Sequence, residues 1–392
     1  MSFVSQCFLG GGAGASCGGE KKNVGIQTKV AVLHNFMDNI GGAERVSLVL
    51  ARELGADIYT TNIDQNKIEK MGFSDVLPRI FSIGKVPLNA PWRQQLTLWR
   101  FRRLSLAGEY DFFIIAGDWA MSGAFNNTPN LWYVHSPIRE IWDLKHYVRS
   151  VLVSFWKRPL FDVWVSVNRY LNRRYIKKVN RIVCNSVNTR KRVERFLKRE
   201  AIVIHPPIDT TTFRYGEPRG YWLSVNRLIR HKRIDLQMEA FFGLPEERLI
   251  VVGSYEKSQH FQSYAAQCMK NKPSNVEIRS WVSQAELIDL YAACKGFITT
   301  SQDEDFGMNV VEAMAAGKPV IAPNEGGYNE TVLHGQTGIL IDDIDAEKIR
   351  EAVRRLGEEL EGFPEKYKEA CRAQADRFSS ARFIQRIRAA MN

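Results

Sequence analysis

The chain has 392 residues, more than one ordinary domain holds and comfortable for two. With 45% hydrophobic and 25% charged residues it is globular in composition, and no run approaches eighteen consecutive apolar residues, so no membrane span is expected. The six cysteines (Cys7, Cys17, Cys184, Cys268, Cys294 and Cys371) are scattered, which argues against a zinc site or disulfide framework and for a reducing compartment.

Residues 1–28 carry the run FLGGGAGASCGG, which cannot bury much surface and reads as a disordered tail. From Lys29 the pattern becomes regular. KVAVLHNF is a short apolar run, followed by a glycine turn and the helical AERVSLVLAREL. DFFIIAG, LWYVHSP and RIVCNS continue the series of buried-strand candidates. HPPIDTTTF (205–213) interrupts it, because its proline pair cannot continue a helix. A second series follows: YWLSVNRL, ERLIVVGS, VEIRSWV, GFITTS and KPVIAP, with helical segments between. Apolar strands alternating with amphipathic helices predict parallel sheets covered on both faces. The fold class is therefore α/β, two doubly wound Rossmann-like domains facing a central cleft, spanning 29–207 and 208–374.

The stretch GFITTSQDEDFGMNVVEAMAAGKPVIA (296–322) holds two carboxylates, Glu304 and Glu312, eight positions apart across a helix start. The free N–H groups of a helix start attract anions, and Gly307 lets backbone approach a ligand closely. Amides from Phe306, Gly307, Met308, Asn309 and Val310 suit a phosphate. The two acids then suit hydroxyls on either side of it, the layout of a nucleotide sugar. A surface acid and a helix-dipole acid remain the plainer reading on spacing alone. The segment SVNRLIRHKRIDLQMEAF (224–241) adds Arg227 and Lys232 after a strand, where two cations neutralise a diphosphate.

These motifs resemble the family-4 retaining glycosyltransferases of the two-domain GT-B fold, and among them the mannosyltransferase-like members. GGAERV (41–46), YVHSPIREIWD (133–143), CNSVNTRKRVERF (184–196), HPPID (205–209) and EDFGMNVVEAMAAGKPVIA carry the resemblance, which runs from about residue 29 to the end. It implies an acceptor domain at 29–207, a nucleotide-sugar domain at 208–374, and a C-terminal helix at 375–392 crossing back. It implies that Arg227 and Lys232 bind the donor diphosphate, that Glu304 binds the transferred sugar, and that Glu312 binds the ribose. Backbone from Phe306 to Val310 would cover sugar and phosphate. Gly42 would approach the diphosphate from the other domain, and Trp281 and Val282 would present backbone to the nucleobase. His135 would lie beside the sugar; its place after an apolar strand also fits a core histidine. Asn226 stands where many relatives carry glycine.

The implied reaction moves a hexose, mannose by resemblance, from a nucleotide diphosphate sugar such as GDP-mannose to a lipid-linked or glycan acceptor. The acceptor attacks on the face the leaving group departs from, and the leaving phosphate takes the proton. Two cations at the diphosphate make a metal unnecessary, so no cofactor or metal is expected.

The net charge is +11. Residues 145–200 hold 16 Lys/Arg against 3 Asp/Glu, or +13. Trp156, Phe161, Trp164, Tyr170 and Tyr175 are interleaved with them, and Arg173, Arg174, Lys177 and Lys178 form one cluster among them. That pattern suits an anionic membrane surface, and hence a peripheral protein on the cytoplasmic face; a solvated helix face is the alternative. A nucleic-acid binder is the rival that the charge suggests, but no motif supports it. A nucleotide-sugar epimerase or hydrolase of the same fold is the second rival.

Overall fold

The computed structural model describes residues 28–253, 259–280 and 282–392. The expected tail, but for its last residue, and Trp281 lie outside them.

Seven strands form the first sheet: β1 (Val30–Leu33), β2 (Asp57–Thr60), β3 (Ile80–Ser82), β4 (Phe112–Ile115), β5 (Asn130–Val134), β6 (Arg181–Cys184) and β7 (Ile202–Val203). Their order is β3-β2-β1-β4-β5-β6-β7, all parallel. Six more form the second: β8 (Tyr221–Val225), β9 (Arg248–Val252), β10 (Val276–Arg279), β11 (Phe297–Ile298), β12 (Val320–Pro323) and β13 (Gly338–Ile341). These run β10-β9-β8-β11-β12-β13, again all parallel. VAVL, FFII and NLWYV are buried along their whole length, as strands covered on both faces must be. Both sheets are thus doubly wound α/β Rossmann-like layers. In each, the strand order reverses beside the first strand: β1 against β4, and β8 against β11. Loops leaving the carboxyl ends of those strands form the crevice where such folds bind ligands.

Seven helices matter for the site: α1 (Gly42–Leu54), α2 (Trp92–Arg103), α3 (Arg158–Tyr175), α4 (Val187–Leu197), α5 (Ile234–Phe242), α6 (Met308–Ala315) and α7 (Ser380–Met391). Ser186 caps α4 by accepting from Thr189 N at 3.0 Å. Gly55, in the left-handed region, ends α1. The last helix, α7, packs on the first sheet: Phe383, Ile384 and Ile387 join the core of Val30, Val46 and Leu131. Burying each such side chain stabilises by about 1.5–3 kcal/mol, so α7 ties the end of the chain to the first sheet. The two chain crossings lie side by side, with Ile208 N donating to Phe378 O (2.9 Å) and Ser380 N to Ile208 O (3.1 Å).

Candidate active site

Two loops meet at the reversal point of the second sheet, one after β8 and one after β11. Thr300 fastens them: its Oγ1 lies 2.8 Å from Lys232 O and 2.9 Å from Arg233 O, and Gln237 Nε2 of α5 donates to it at 2.8 Å. The loop then turns through the left-handed region at Asp303 and at Gly307, which caps α6. At Gly307 a Cβ would sit 2.6 Å from Tyr328 Cε1. The positive φ and the Tyr328 ring thus both require a glycine here.

This loop seats Glu304 against Lys232 Nζ, while Ser301 Oγ also donates to the carboxylate. Burial alone would raise the Glu304 pKa, but the Lys232 ammonium and the two hydrogen bonds outweigh it and hold the group at about 2. His231 is held neutral, its pKa lowered to about 4 by burial and by Lys232. Arg227 occupies the same loop and exerts its field across the cleft on Glu44, whose carboxyl burial pushes up to about 7. Glu44 Oε2 folds back over Gly41 at the start of α1. Gly42 next to it faces Met308: a Cβ on Gly42 would meet Met308 Sδ at 2.9 Å. The glycine loop of the first half thus stands directly over the start of α6.

Less of that helix start is free than its spacing suggested. Val310 N already donates to Asn309 Oδ1 (3.0 Å) and Gly307 O (3.1 Å). The Phe306 ring is buried against His205 and Phe378, with centroids 5.4 and 5.3 Å away. Asn309 Nδ2 donates to Val225 O at 2.7 Å, and Asn226 Nδ2 to Ser224 Oγ at 3.2 Å. Asn309 Nδ2 also reaches Asn226 Oδ1 at 3.4 Å, so the buried Asn226, which stands where many relatives carry glycine, links β8 to α6.

Further along α6, Glu312 accepts from Tyr291 Oη at 2.9 Å, and Arg45 of α1 lies 3.9 Å away across the cleft. Burial raises its pKa, opposed by Arg45 and Tyr291. Arg45 Nη2 also reaches Gln284 Oε1 at 3.4 Å. A cavity of about 360 Å³ opens here, with Arg45, Gln284, Glu312 and Asp209 among its lining residues. Val282 packs against the core of the second sheet two residues before Gln284. Glu304 and Glu312 therefore face different surroundings, one locked against Lys232 within its own domain, the other at a roomy pocket that Arg45 of the first domain also lines.

On the other side of the cleft, His135 follows β5. Its ring stands edge-on to Tyr133, centroids 5.1 Å apart, and its Nε2 is buried without a hydrogen-bond partner among the described residues. Burial, reinforced by His34, lowers its pKa to about 3, so the ring is neutral. Asp118, bonded by Asn35 Nδ2 at 2.5 Å, and Glu140, raised to about 7 by burial and then by Asp118, belong to the same half. The sequence reading passed over both, as it did Arg45; only the place of Arg45 in GGAERV, one position beyond Glu44, signalled it.

The Glu304 loop is also gripped from the first half. Asn188 Nδ2 of α4 donates to Asp303 Oδ1 (2.9 Å) and Glu304 O (3.0 Å). Arg192 pairs with Asp303 at 2.7 Å and with Asp305. In return Glu330 accepts from Val187 N (2.8 Å) and Asn188 N (3.1 Å) at the start of α4. Arg139, 3.7 Å from Asp303 Oδ2, completes the contact.

Arg173, Arg174, Lys177 and Lys178 are all exposed, at and beyond the end of α3. Of the aromatic residues interleaved with the basic ones, Trp156 and Tyr170 are exposed. Phe161 and Trp164 instead stack on each other with centroids 5.8 Å apart, and Tyr175 is buried. These three serve the core because they fall on the inner face of the helix.

Two parallel-sheet domains facing a cleft form the GT-B architecture, and the matching family models make the chain a glycosyltransferase. Residues 40–212 match the Glycosyltransferase Family 4 and residues 210–374 the Glycosyl transferases group 1, and the chain belongs to the family-4 glycosyltransferases, resembling their mannosyltransferase members. It is 27% identical over 378 residues to the alpha-1,3/1,6-mannosyltransferase ALG2 of Candida glabrata, covering 79% of this chain and 78% of that one. It is 27% identical over 190 residues to an uncharacterized glycosyltransferase of Methanocaldococcus jannaschii, a match that spans 48% of this chain and 52% of that protein. Among solved structures, HepE of Anabaena in complex with UDP and glucose superposes with a TM-score of 0.72 at 18% identity, covering 93% of this chain and 99% of that one.

Proposed function

We propose that the chain transfers mannose from GDP-mannose, with retention of configuration, to a lipid-linked or oligosaccharide acceptor, working as a peripheral protein on the cytoplasmic face of a membrane. One observation supports a nucleotide-sugar donor, while mannose and guanosine rest on the likeness to the mannosyltransferases. Glu304 and Glu312 flank a single helix start, with Arg227 and Lys232 on the adjoining loop, so one diphosphate at that start leaves a carboxylate for the sugar and another for the ribose. Lys232, Arg227 and the Met308 and Asn309 amides meet the negative charge that grows on the leaving diphosphate. The cavity beside Glu312 has room for the nucleoside. Charge supplied by these groups makes a metal or other cofactor unnecessary in this reading.

As the anomeric C–O bond to the diphosphate breaks, the acceptor oxygen bonds to the same carbon on the same face, and its proton passes to the departing phosphate. His135, held neutral, offers the ring edge and an unpaired Nε2 to the sugar without adding positive charge beside an oxocarbenium-like centre. Gly42 and Arg45 close over the donor from the first domain and exclude water, which would otherwise compete as acceptor.

A thermal-shift panel of GDP-, UDP- and ADP-sugars tests the donor. A specific donor at saturation raises the unfolding midpoint by several kelvin through mass action, and GDP-mannose is expected to do so. A larger shift with UDP-glucose, the donor bound by HepE in another solved structure, would replace GDP-mannose in this scheme. No shift with any of them would overturn it.

A further inference from the structure

We propose that α3 is an in-plane membrane anchor, its outward apolar stripe inserting into the headgroup region of an anionic bilayer. The proposal rests on the reading of an acceptor presented at a membrane and names the surface that meets it. Charge and interleaved aromatics pointed to residues 145–200; the structure shows which apolar side chains there face outward. Trp156 is 84% exposed, Leu160 72%, Tyr170 64% and Val163 63%, with Phe155 and Val167 exposed beside them. Leu160, Val163, Val167 and Tyr170 are spaced three, four and three apart and so share one face of α3, while Trp156 lies in the turn that leads into it. The opposite face, with Val165, Asn168, Asn172 and Tyr175, is buried against the protein. A helix held along its length in this way lies flat, and no helix among the described residues is long and apolar enough to cross a membrane.

The charges around the stripe choose the partner. Between Lys145 and Lys178 the sequence has nine Lys or Arg and one acid, Asp162. That acid is neutralised by Arg149 at 2.8 Å and Lys145 at 3.2 Å. Continuing along the same face past Tyr170 come Arg174 and Lys177, both exposed. An apolar stripe running into cations matches acyl chains below anionic headgroups; a second copy of this chain would bring the same cations against each other. The neighbouring α2, joined through Gln95 Nε2 to Asn168 Oδ1 at 3.0 Å, exposes Trp92 and Trp99, residues suited to the interface. The anchor is also tied to the cleft: Arg169 Nε donates to Ile141 O at 2.7 Å, and Trp142 Nε1 to Asn172 Oδ1 at 3.4 Å. The same loop carries Arg139, which reaches Asp303. Docking on α3 would set the lip of the cleft at the membrane surface.

Flotation of the full chain with phosphatidylcholine vesicles, with and without 30% phosphatidylglycerol (~30 mol%, enough to give a strongly negative surface), tests this. Binding is expected only with the anionic lipid, and part of it should survive about 0.5 M salt, where surface attraction is screened within a few ångströms. The triple variant Leu160→Gln, Val163→Gln, Val167→Gln should lose roughly tenfold in partitioning at low salt and all binding at high salt, the scale of removing three apolar groups from a bilayer boundary. These residues are exposed, so the unfolding midpoint should hold. Trp156→Phe should remove most of the fluorescence change on vesicle addition. Equal vesicle binding by the triple variant and the parent overturns the proposal, as does binding abolished entirely by salt. So does a concentration-dependent dimer, seen by light scattering, that the triple variant lacks. Slow hydrolysis of the donor in solution needs no bilayer. If it is normal in the triple variant while vesicle binding is lost, the anchor stands; if GDP-mannose is never consumed, the donor reading fails and the anchor is judged by flotation alone.

Discussion

Lys232 and Glu304 form a partly buried ion pair between the two loops at the reversal point of the second sheet, and Ser301 supports it. The carboxyl is held at about 2 against an ordinary 4.5. A folded-state pKa below the unfolded one gives stability that is complete above about 4.5 and is lost as pH falls toward 2. Glu304→Gln removes that contribution. The stability difference between parent and variant in urea titrations should therefore shrink by about 2 kcal/mol between pH 6 and pH 3. A difference that stays constant over that range would mean that the pair contributes nothing through ionisation.

The two acids of the helix start should fail differently. Glu312→Gln keeps shape but removes the charged acceptor for the ribose diol, worth about 1.5–3 kcal/mol, or roughly ten- to a hundredfold. Ribose does not change in the reaction, so the loss should fall on affinity, and equally on the free nucleotide diphosphate. Glu304→Gln touches the sugar, where charge develops, and should lower turnover while leaving binding of the nucleotide diphosphate nearly intact. Calorimetry with the nucleotide diphosphate on both variants decides the donor's orientation. Equal weakening by the two would reverse or discard it.

Nine of the thirteen strands and the Glu304–Glu312 element were legible because each is local: short apolar runs, and a spacing of eight. The short strands β2, β3 and β7 were not, having no such run within their bounds, and neither was the strand order, which no short stretch encodes. Arg45 opposite Glu312 and Arg192 opposite Asp303 were not, since each pair is joined by domain packing over more than a hundred residues of chain, and no local pattern encodes that. Composition also misread the basic segment in part. Phe161, Trp164 and Tyr175 belong to the inner face of α3, and composition carries no helix phase. The 3.6-residue period would have sorted them from Trp156 and Tyr170. The constraint that Tyr328 puts on Gly307 was equally illegible, because the two are twenty-one positions apart and meet only in the fold.

Two glycines of the cleft should separate fold from function. Gly307→Ala puts a Cβ 2.6 Å from the Tyr328 ring at a positive φ. Left-handed strain and overpacking together should cost about 2–4 kcal/mol, read as a lowered unfolding midpoint. Gly42→Ala meets only Met308 Sδ, the mobile end of a flexible side chain, at a helical position. Its midpoint should stay within about two degrees, while donor affinity falls roughly tenfold as the methyl group narrows the cleft, a loss of about 1.4 kcal/mol. If Gly42→Ala binds the donor normally, the first-domain loop does not close over it.

Arg192 should act as a positioning residue for Glu304. Its guanidinium, 8% exposed, holds Asp303 and Asp305, the residues on either side of Glu304. A lysine keeps the charge but not the two-pronged geometry. A catalytic group displaced by about an ångström can cost around a hundredfold in rate. Arg192→Ala should therefore lower turnover roughly a hundredfold, and Arg192→Lys should recover part of that loss. Nucleotide diphosphate affinity, assigned to Glu312 and the opposite end of the donor, should change little in either variant. A residue that merely holds the two halves together would lower both quantities along with the unfolding midpoint, and the lysine would restore all three in step. Steady-state kinetics, calorimetry and thermal unfolding on the same three proteins distinguish the cases. Unchanged turnover in Arg192→Ala would show that the grip of α4 on this loop has no part in placing Glu304.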